Sequence, residues 1–189
     1  LPKIEADDVV AVLTMPVGTP IAVTEKFVDR LEETGRATIE RVDLEYPPAG
    51  GGSNARHMLA TIGEQPFRTR QSHGPTGGQG GSIGGHAAEV HISLRSSEER
   101  KYSAAKLANL WREIAGPIPE ASELSFLSQL VSTGDTISIQ LRGPKVENLR
   151  LAAGEIREGL AQYPGVYDIN DSFRDGKKEL KLRIRESAD

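Results

Sequence analysis

The constraint that most narrows what this chain can fold into is the order in which its hydrophobic period switches between strand and helix. Val9 to Met15 is a nearly continuous apolar run closed by Pro16, the pattern of a strand buried on both faces. A turn at Val17-Gly18-Thr19-Pro20 follows, with Thr19 placed to cap a helix that starts at Pro20. Val23, Phe27 and Leu31 recur every four residues along that helix. It is expected to reach about Val42, with Gly35 as the point where it could be interrupted, before Pro47 to Gly52 break it. A short strand is expected from about Met58 to Ile62, and a long Gly-, Ser-, Thr- and Gln-rich loop from Arg68 to Gly85. Val90, Ile92 and Leu94 alternate with His91, Ser93 and Arg95, a half-buried strand. Ser103 then serves as N-cap for a helix carrying Leu107, Leu110, Trp111 and Ile114 on one face, stopped by Gly116-Pro117. Leu124 to Leu130 is the next strand.

Strand, helix, strand, strand, helix, strand is the split βαβ, or ferredoxin-like, order. A second unit then begins. Ile137, Ile139 and Leu141 alternate as a strand would, and Val146, Leu149, Ala153, Ile156 and Leu160 step along a helix. Val166 to Ile169 and Leu180, Leu182 and Ile184 read as two further strands joined by a turn at Asp175-Gly176. The expected fold is therefore α+β, with two packed βαβ-type subdomains, residues 1–132 and 133–189, the second incomplete. A strand-helix-strand-strand fragment leaves sheet edge or apolar surface unpaired. With a start at Leu1 rather than Met, this reads as one piece of a longer parent.

Composition closes off several functions. A net charge of −4, spread along the chain, offers no basic face for nucleic acid. With no cysteine, disulfides, thiol catalysis and Cys-ligated zinc are excluded. No stretch approaches the roughly 18 apolar residues that would read as a membrane span. The Gly-rich stretch from Gly74 to Gly85 is followed by a strand and contains no Lys, whereas a phosphate loop needs a helix there. His57, His73, His86 and His91 include no pair at the four-residue spacing of a helical zinc site, so no metal is expected. No nucleophile elbow or Ser-His-Asp set is present, and Asp7-Asp8, Glu32-Glu33 and Glu98-Glu99 are adjacent pairs of solvated surface type. The chain is accordingly expected to be no enzyme, with no catalytic residue and no cofactor.

Four strings carry a resemblance: IEADDVVAVLTMPVGTPIAVTE near the start, GPIPEASELSF at Gly116 to Phe126, TISIQLRGP after it, and YPGVYDINDSFRDGKKELKLRIR at Tyr163 to Arg185. Together they resemble the second large periplasmic loop of resistance–nodulation–division (RND) efflux transporters, in the acriflavine-resistance, hydrophobe/amphiphile branch. It is strongest at Glu99-Arg100, Trp111-Arg112, Gly116 to Pro119, Pro164-Gly165-Val166 and Asp175-Gly176, and weakest from Pro47 to Gly85. The resemblance implies a parent in the bacterial inner membrane, proton-driven and homotrimeric, with this segment in the periplasm. It implies as partners an amphiphilic small-molecule substrate, a periplasmic adaptor protein and an outer-membrane channel.

By the same resemblance, Val10, Val12, Leu124 and Phe126 fall on pocket-lining strands, although the residues themselves read equally as core. Gly74, Gly77, Gly78, Gly80 and Gly81 would belong to a switch loop between an outer and an inner drug pocket. Phe67 opens that loop, and Arg68, Arg70, Gln71, Ser72 and His73 stand where known pumps carry phenylalanines. Flat aromatic drugs would stack less well there, so a more polar or anionic substrate is expected. Competing readings are a stand-alone soluble ferredoxin-like small-molecule binding module, a small enzyme on the same fold, and the corresponding part of an RND metal-ion exporter. Met15 and Met58 give the last little support.

Overall fold

The computed structural model describes residues 6–72, 81–128, 137–171 and 173. Four strands, β1 (Asp8–Thr14), β2 (Ala55–Glu64), β3 (Ile83–Leu94) and β4 (Glu123–Leu127), form one antiparallel sheet in the order β2-β3-β1-β4. Four helices, α1 (Ile21–Glu45), α2 (Pro66–Ser72), α3 (Ala104–Ala115) and α4 (Val146–Ala161), complete the described α+β fold. Without α2, the first unit has the ferredoxin-like succession anticipated from the periodicity.

Register divides the sheet into two chemically different faces. Pairing aligns Ala60, Val90, Ala11 and Phe126 in one row across all four strands, and Ile62, Ala88, Leu13 and Leu124 in the next. These residues meet α1 and α3 in the main core, with Leu31, Val42, Leu107 and Trp111 buried among them. The alternate residues form other rows, Thr61-Glu89-Val12-Ser125 and Leu59-His91-Val10-Leu127, on the face that α1 and α3 leave open. Because β1 is the second strand from one edge and dry on both sides, its unbroken apolar run has a direct cause.

Helix α1 runs through Gly35 without interruption. Its buried stripe is Thr24, Val28, Leu31, Gly35, Thr38 and Val42, steps of three and four that differ from the expected Val23-Phe27-Leu31 face. Small and hydroxylated residues let α3 approach. A Cβ on Gly35 would stand 3.1 Å from the Trp111 ring and 3.0 Å from the end of Met58, and the Trp111 Nε1–H donates to the Leu31 carbonyl at 3.2 Å. The hydroxyls of the stripe do not go unpaired: Thr24 donates to the Gly85 carbonyl and Thr38 to that of Thr34, both at 2.7 Å. Thr19 does not cap this helix. The N-cap is Pro20, one residue later than expected, and the Thr19 hydroxyl donates back to Pro16 instead. Ser103 does cap α3, accepting from the Lys106 amide, and Gly116 ends it at a φ of 65°.

Other expectations are corrected. The second strand is longer than Met58–Ile62, and the last strand of the unit spans Glu123–Leu127, with 129 and 130 outside the described residues. The expected loop from Arg68 to Gly85 opens inside α2 and closes inside β3. In the second region the expected helix is present as α4, but neither Ile137 to Leu141 nor Val166 to Ile169 is a strand. Leu180, Leu182, Ile184 and the Asp175-Gly176 turn lie outside the described residues.

A side-chain clamp explains the second of those absences. At Phe126, on the outer edge of β4, the amide donates to Asp168 Oδ2 at 3.0 Å and the carbonyl accepts from Arg112 Nη2 at 3.2 Å. Arg112 grips Asp168 through Nε–H to Oδ1, 2.9 Å, and Nη2–H to Oδ2, 2.8 Å. Two side chains thus take the positions on β4 that a neighbouring backbone would occupy. Asp168 itself sits at a φ of 54°, which breaks an extended run.

Candidate functional site

The candidate site is the sheet face opposite α1 and α3. Its apolar floor is small: Val10 and Val12, both fully buried, pack with Phe67 and part of Leu127. Phe67 is brought there by α2, which lies on this face and is anchored by tertiary contacts. The buried Gln65 side chain donates to the Leu13 carbonyl at 2.8 Å and to Thr14 Oγ1 at 2.9 Å, while its own oxygen accepts from the Ser82 amide at 2.9 Å. One residue thereby pins the entry to α2, the end of β1 and the point where the chain returns to β3. Gly81 passes so close that a Cβ would stand 2.6 Å from the Gln65 carbonyl oxygen.

The second anchor is Glu89. Its Oε1 accepts the Phe67 amide at 2.8 Å, satisfying an N–H that the start of α2 would otherwise leave orphaned. Its other oxygen, Oε2, is buried and reaches no donor. Glu89 is 3% exposed. Burial raises its carboxyl above the ordinary value, opposed by the Phe67 and Arg68 amides and by the electrostatic influence of His91 and Arg70.

Two of the groups around Glu89 are paired elsewhere. Arg68 Nη1 lies 2.5 Å from Glu123 Oε1, both side chains largely buried. His91 Nε2 lies 2.7 Å from Asp8 Oδ1, and the His91 ring is tilted against Phe67 with centroids 5.8 Å apart. Arg70 is on the exposed side of α2 and makes no ion pair with Glu89. Between α2 and the sheet remains a cavity of about 120 Å³, walled by Leu59, Thr61, Phe67, Arg70, Glu89 and His91 among others.

Five of the seven residues implied as substrate-lining, Val10, Val12, Phe67, Arg68 and Arg70, therefore converge on one face. Leu124 and Phe126 do not join them: strand alternation sends both to the other side. Phe126 is core, edge-on to Trp111 at 5.3 Å between centroids. Leu124 is half-buried and lines a separate cleft of about 500 Å³, together with Arg112, Ile118, Arg157, Asp168 and Asn170. Arg68, bound to Glu123, is a structural cation and not a ready partner for an anion. Of the switch-loop glycines, Gly81 is at the close approach just given, and Gly74, Gly77, Gly78 and Gly80 lie outside the described residues.

Glu89 was not singled out from the sequence. The signal for it was indirect: an unalternating β1 requires a cover on both faces, and Glu89 pairs directly with Val12 beneath that cover.

No helix among the described residues is long and apolar enough to cross a membrane. Comparison with known proteins found no family model that matches this chain, and no curated protein that matches it.

Proposed function

We propose that the chain is the periplasmic porter portion of a proton-driven RND exporter, and that the face bearing Phe67, Val10, Val12 and Glu89 is its substrate-facing wall. The observation that carries this reading is a ferredoxin-like sheet with one face sealed by two long helices and the other covered by a seven-residue helix over a small cavity. A transport cycle needs a wall whose affinity differs between conformations. A short helix held by Gln65 and Glu89 can shift with far less lost burial than α1 or α3. The order of motifs from Glu99-Arg100 to Pro164-Gly165-Val166 supports the same parent. Energy coupling would reside in membrane helices outside this segment, so no residue here is assigned a catalytic role.

The reading frame flanking the segment tests this directly. Apolar helices of roughly 20 residues on both sides, and an amphiphilic dye retained less by cells expressing the parent, are the expected results. A start and a stop codon tightly bracketing the segment would overturn the exporter. The second reading, a stand-alone small-molecule binding module, draws on the completeness of the first unit: its sheet and core close without the region after residue 136. A cooperative melt of residues 1–132 alone would favour it.

A further inference from the structure

The stretch that follows α4 runs beside β4 without being a strand of the sheet. Asp168 lies against Phe126 and Asn170 against Ser125, the latter through Nδ2–H to Oγ at 3.1 Å. Numbers therefore rise along one segment as they fall along the other, which is the antiparallel sense. We propose that residues 166–170 are a fifth strand held one side chain away from β4, a strap poised to pair with it in the register that sets Asp168 opposite Phe126.

Three observations carry this. An antiparallel pair of this kind exchanges two N–H to carbonyl bonds between facing residues, and here side chains take those backbone groups instead. Asp168 Oδ2 takes the Phe126 amide, Arg112 takes the Phe126 carbonyl, and Asn170 Nδ2 donates to the Asp168 carbonyl at 3.0 Å. Second, Asp168 is the one non-glycine residue at positive φ among the described residues, and Gly165 before it stands at a φ of 88°. The departure from extended backbone is thus concentrated at few positions. Third, the Arg112 guanidinium lies 4.0 Å from the Tyr167 ring centroid and 5.3 Å from that of Phe126. Paired residues put their side chains on the same side of a sheet, so Asp168 would stay beside Arg112 through the step. Pairing would cover the outer edge of β4, the edge strand of the described sheet. Asp168, Ile169 and Asn170 also line the cleft of about 500 Å³, so the same step reshapes its wall.

Two substitutions at one position separate the states in the 189-residue chain. Asp168→Val removes the carboxylate and, being β-branched, resists positive φ, so it should drive pairing. Asp168→Asn tolerates that φ and keeps an acceptor for the Phe126 amide, so it should retain the clamp. In Asp168→Val the expected result is a nuclear Overhauser contact between the Hα protons of Ser125 and Ile169, a non-hydrogen-bonded pair in this register. The amides at positions 168 and 170 should exchange at least about tenfold more slowly than in the wild type, roughly the worth of one hydrogen bond. Neither change should appear in Asp168→Asn. If Asp168→Val does not fold, Asp168→Thr, also β-branched and with a hydroxyl left for Arg112, takes its place. Faster exchange at the Phe126 amide without the Ser125–Ile169 contact would overturn the proposal, since the segment would have left β4 and the clamp would be a fastener only. A wild-type pattern in the β-branched variant would overturn it as well, because neither the carboxylate nor the backbone at 168 would then hold the strap off.

Discussion

The two faces of the sheet are built from alternate residues of the same strands, yet they are different materials. Toward α1 and α3 the rows are aliphatic and aromatic throughout, and hydroxyls of α1 and the Trp111 indole return to backbone carbonyls. Toward α2 the rows hold Glu89, His91, Glu123 and Ser125, and the dry patch among the described residues is Val10, Val12 and Phe67 with part of Leu127. One face gains its stability from burial, which is non-directional and large. The other is held by a few directional bonds to charged groups, each replaceable. The proposed transport cycle calls for such a division, in which one domain keeps its fold while one of its surfaces rearranges.

The sharpest way to break the comparison is to truncate one aromatic on each face. Trp111→Ala should cost about 3–5 kcal/mol, since a fully buried ring leaves a void between two long helices that cannot close. Phe67→Ala should cost no more than about 3 kcal/mol, the bottom of that range, because α2 can settle onto Val10 and Val12. Denaturant titration of both variants compares them. Equal costs would mean that α2 is as integral to the fold as α3, and the notion of a movable face would fall.

A smaller effect probes the helix contact itself. Gly35→Val should destabilise by about 1–3 kcal/mol, because its branched side chain has to displace Trp111 or Met58. Gly154 in α4 has open space around it, so Gly154→Ala should instead add roughly 0.5–1 kcal/mol to that helix. Thermal melts and helical circular dichroism distinguish the two signs. A neutral Gly35→Val would show that the core face yields as readily as the other.

Most of the first unit was legible because its elements carry their own periods and stops: Ser103 and Gly116 bound α3 as they bound it in the sequence. The face of α1 was harder, since Thr24, Gly35 and Thr38 are buried for fit and hydrogen bonding, properties a hydrophobic pattern does not record. Helix α2 was missed because its start is capped from a distance by Glu89, twenty-two residues on. The absent strands of the second region have a related cause. Alternation in Ile137-Leu141 says which way side chains point and nothing of pairing, and at Val166-Ile169 the Asp168 side chain meets β4 in place of the backbone. Several residues that carried the resemblance are structural here. Arg100 is buried and donates to the carbonyls of Ala6, Arg95 and Tyr102, Arg112 grips Asp168, and Trp111 fills the core. They were informative about fold for that reason, and the candidate site lay elsewhere.

The smallest expected effect is also the most specific to the α2 face. In the folded chain Glu89 titrates above its ordinary value of 4.5, so between that value and its folded one the native state holds a proton that the unfolded state has released. Stability must then fall as pH rises through this window, and stay lower above it. Glu89→Gln cannot titrate, and its side-chain oxygen can still accept from the Phe67 amide. Comparing the two proteins at the same pH cancels the contributions of every other group. The variant should match the wild type near pH 4 and melt higher at pH 7.5, with roughly 2–4 °C for each kcal/mol in a chain of this size. A difference that stays flat from pH 4 to 7.5 would mean that Oε2 finds water or Arg70 in solution. The face would then be wetter than the unbroken apolar run of β1 requires, and the contrast between the two faces would be one of composition and no longer one of solvent exclusion.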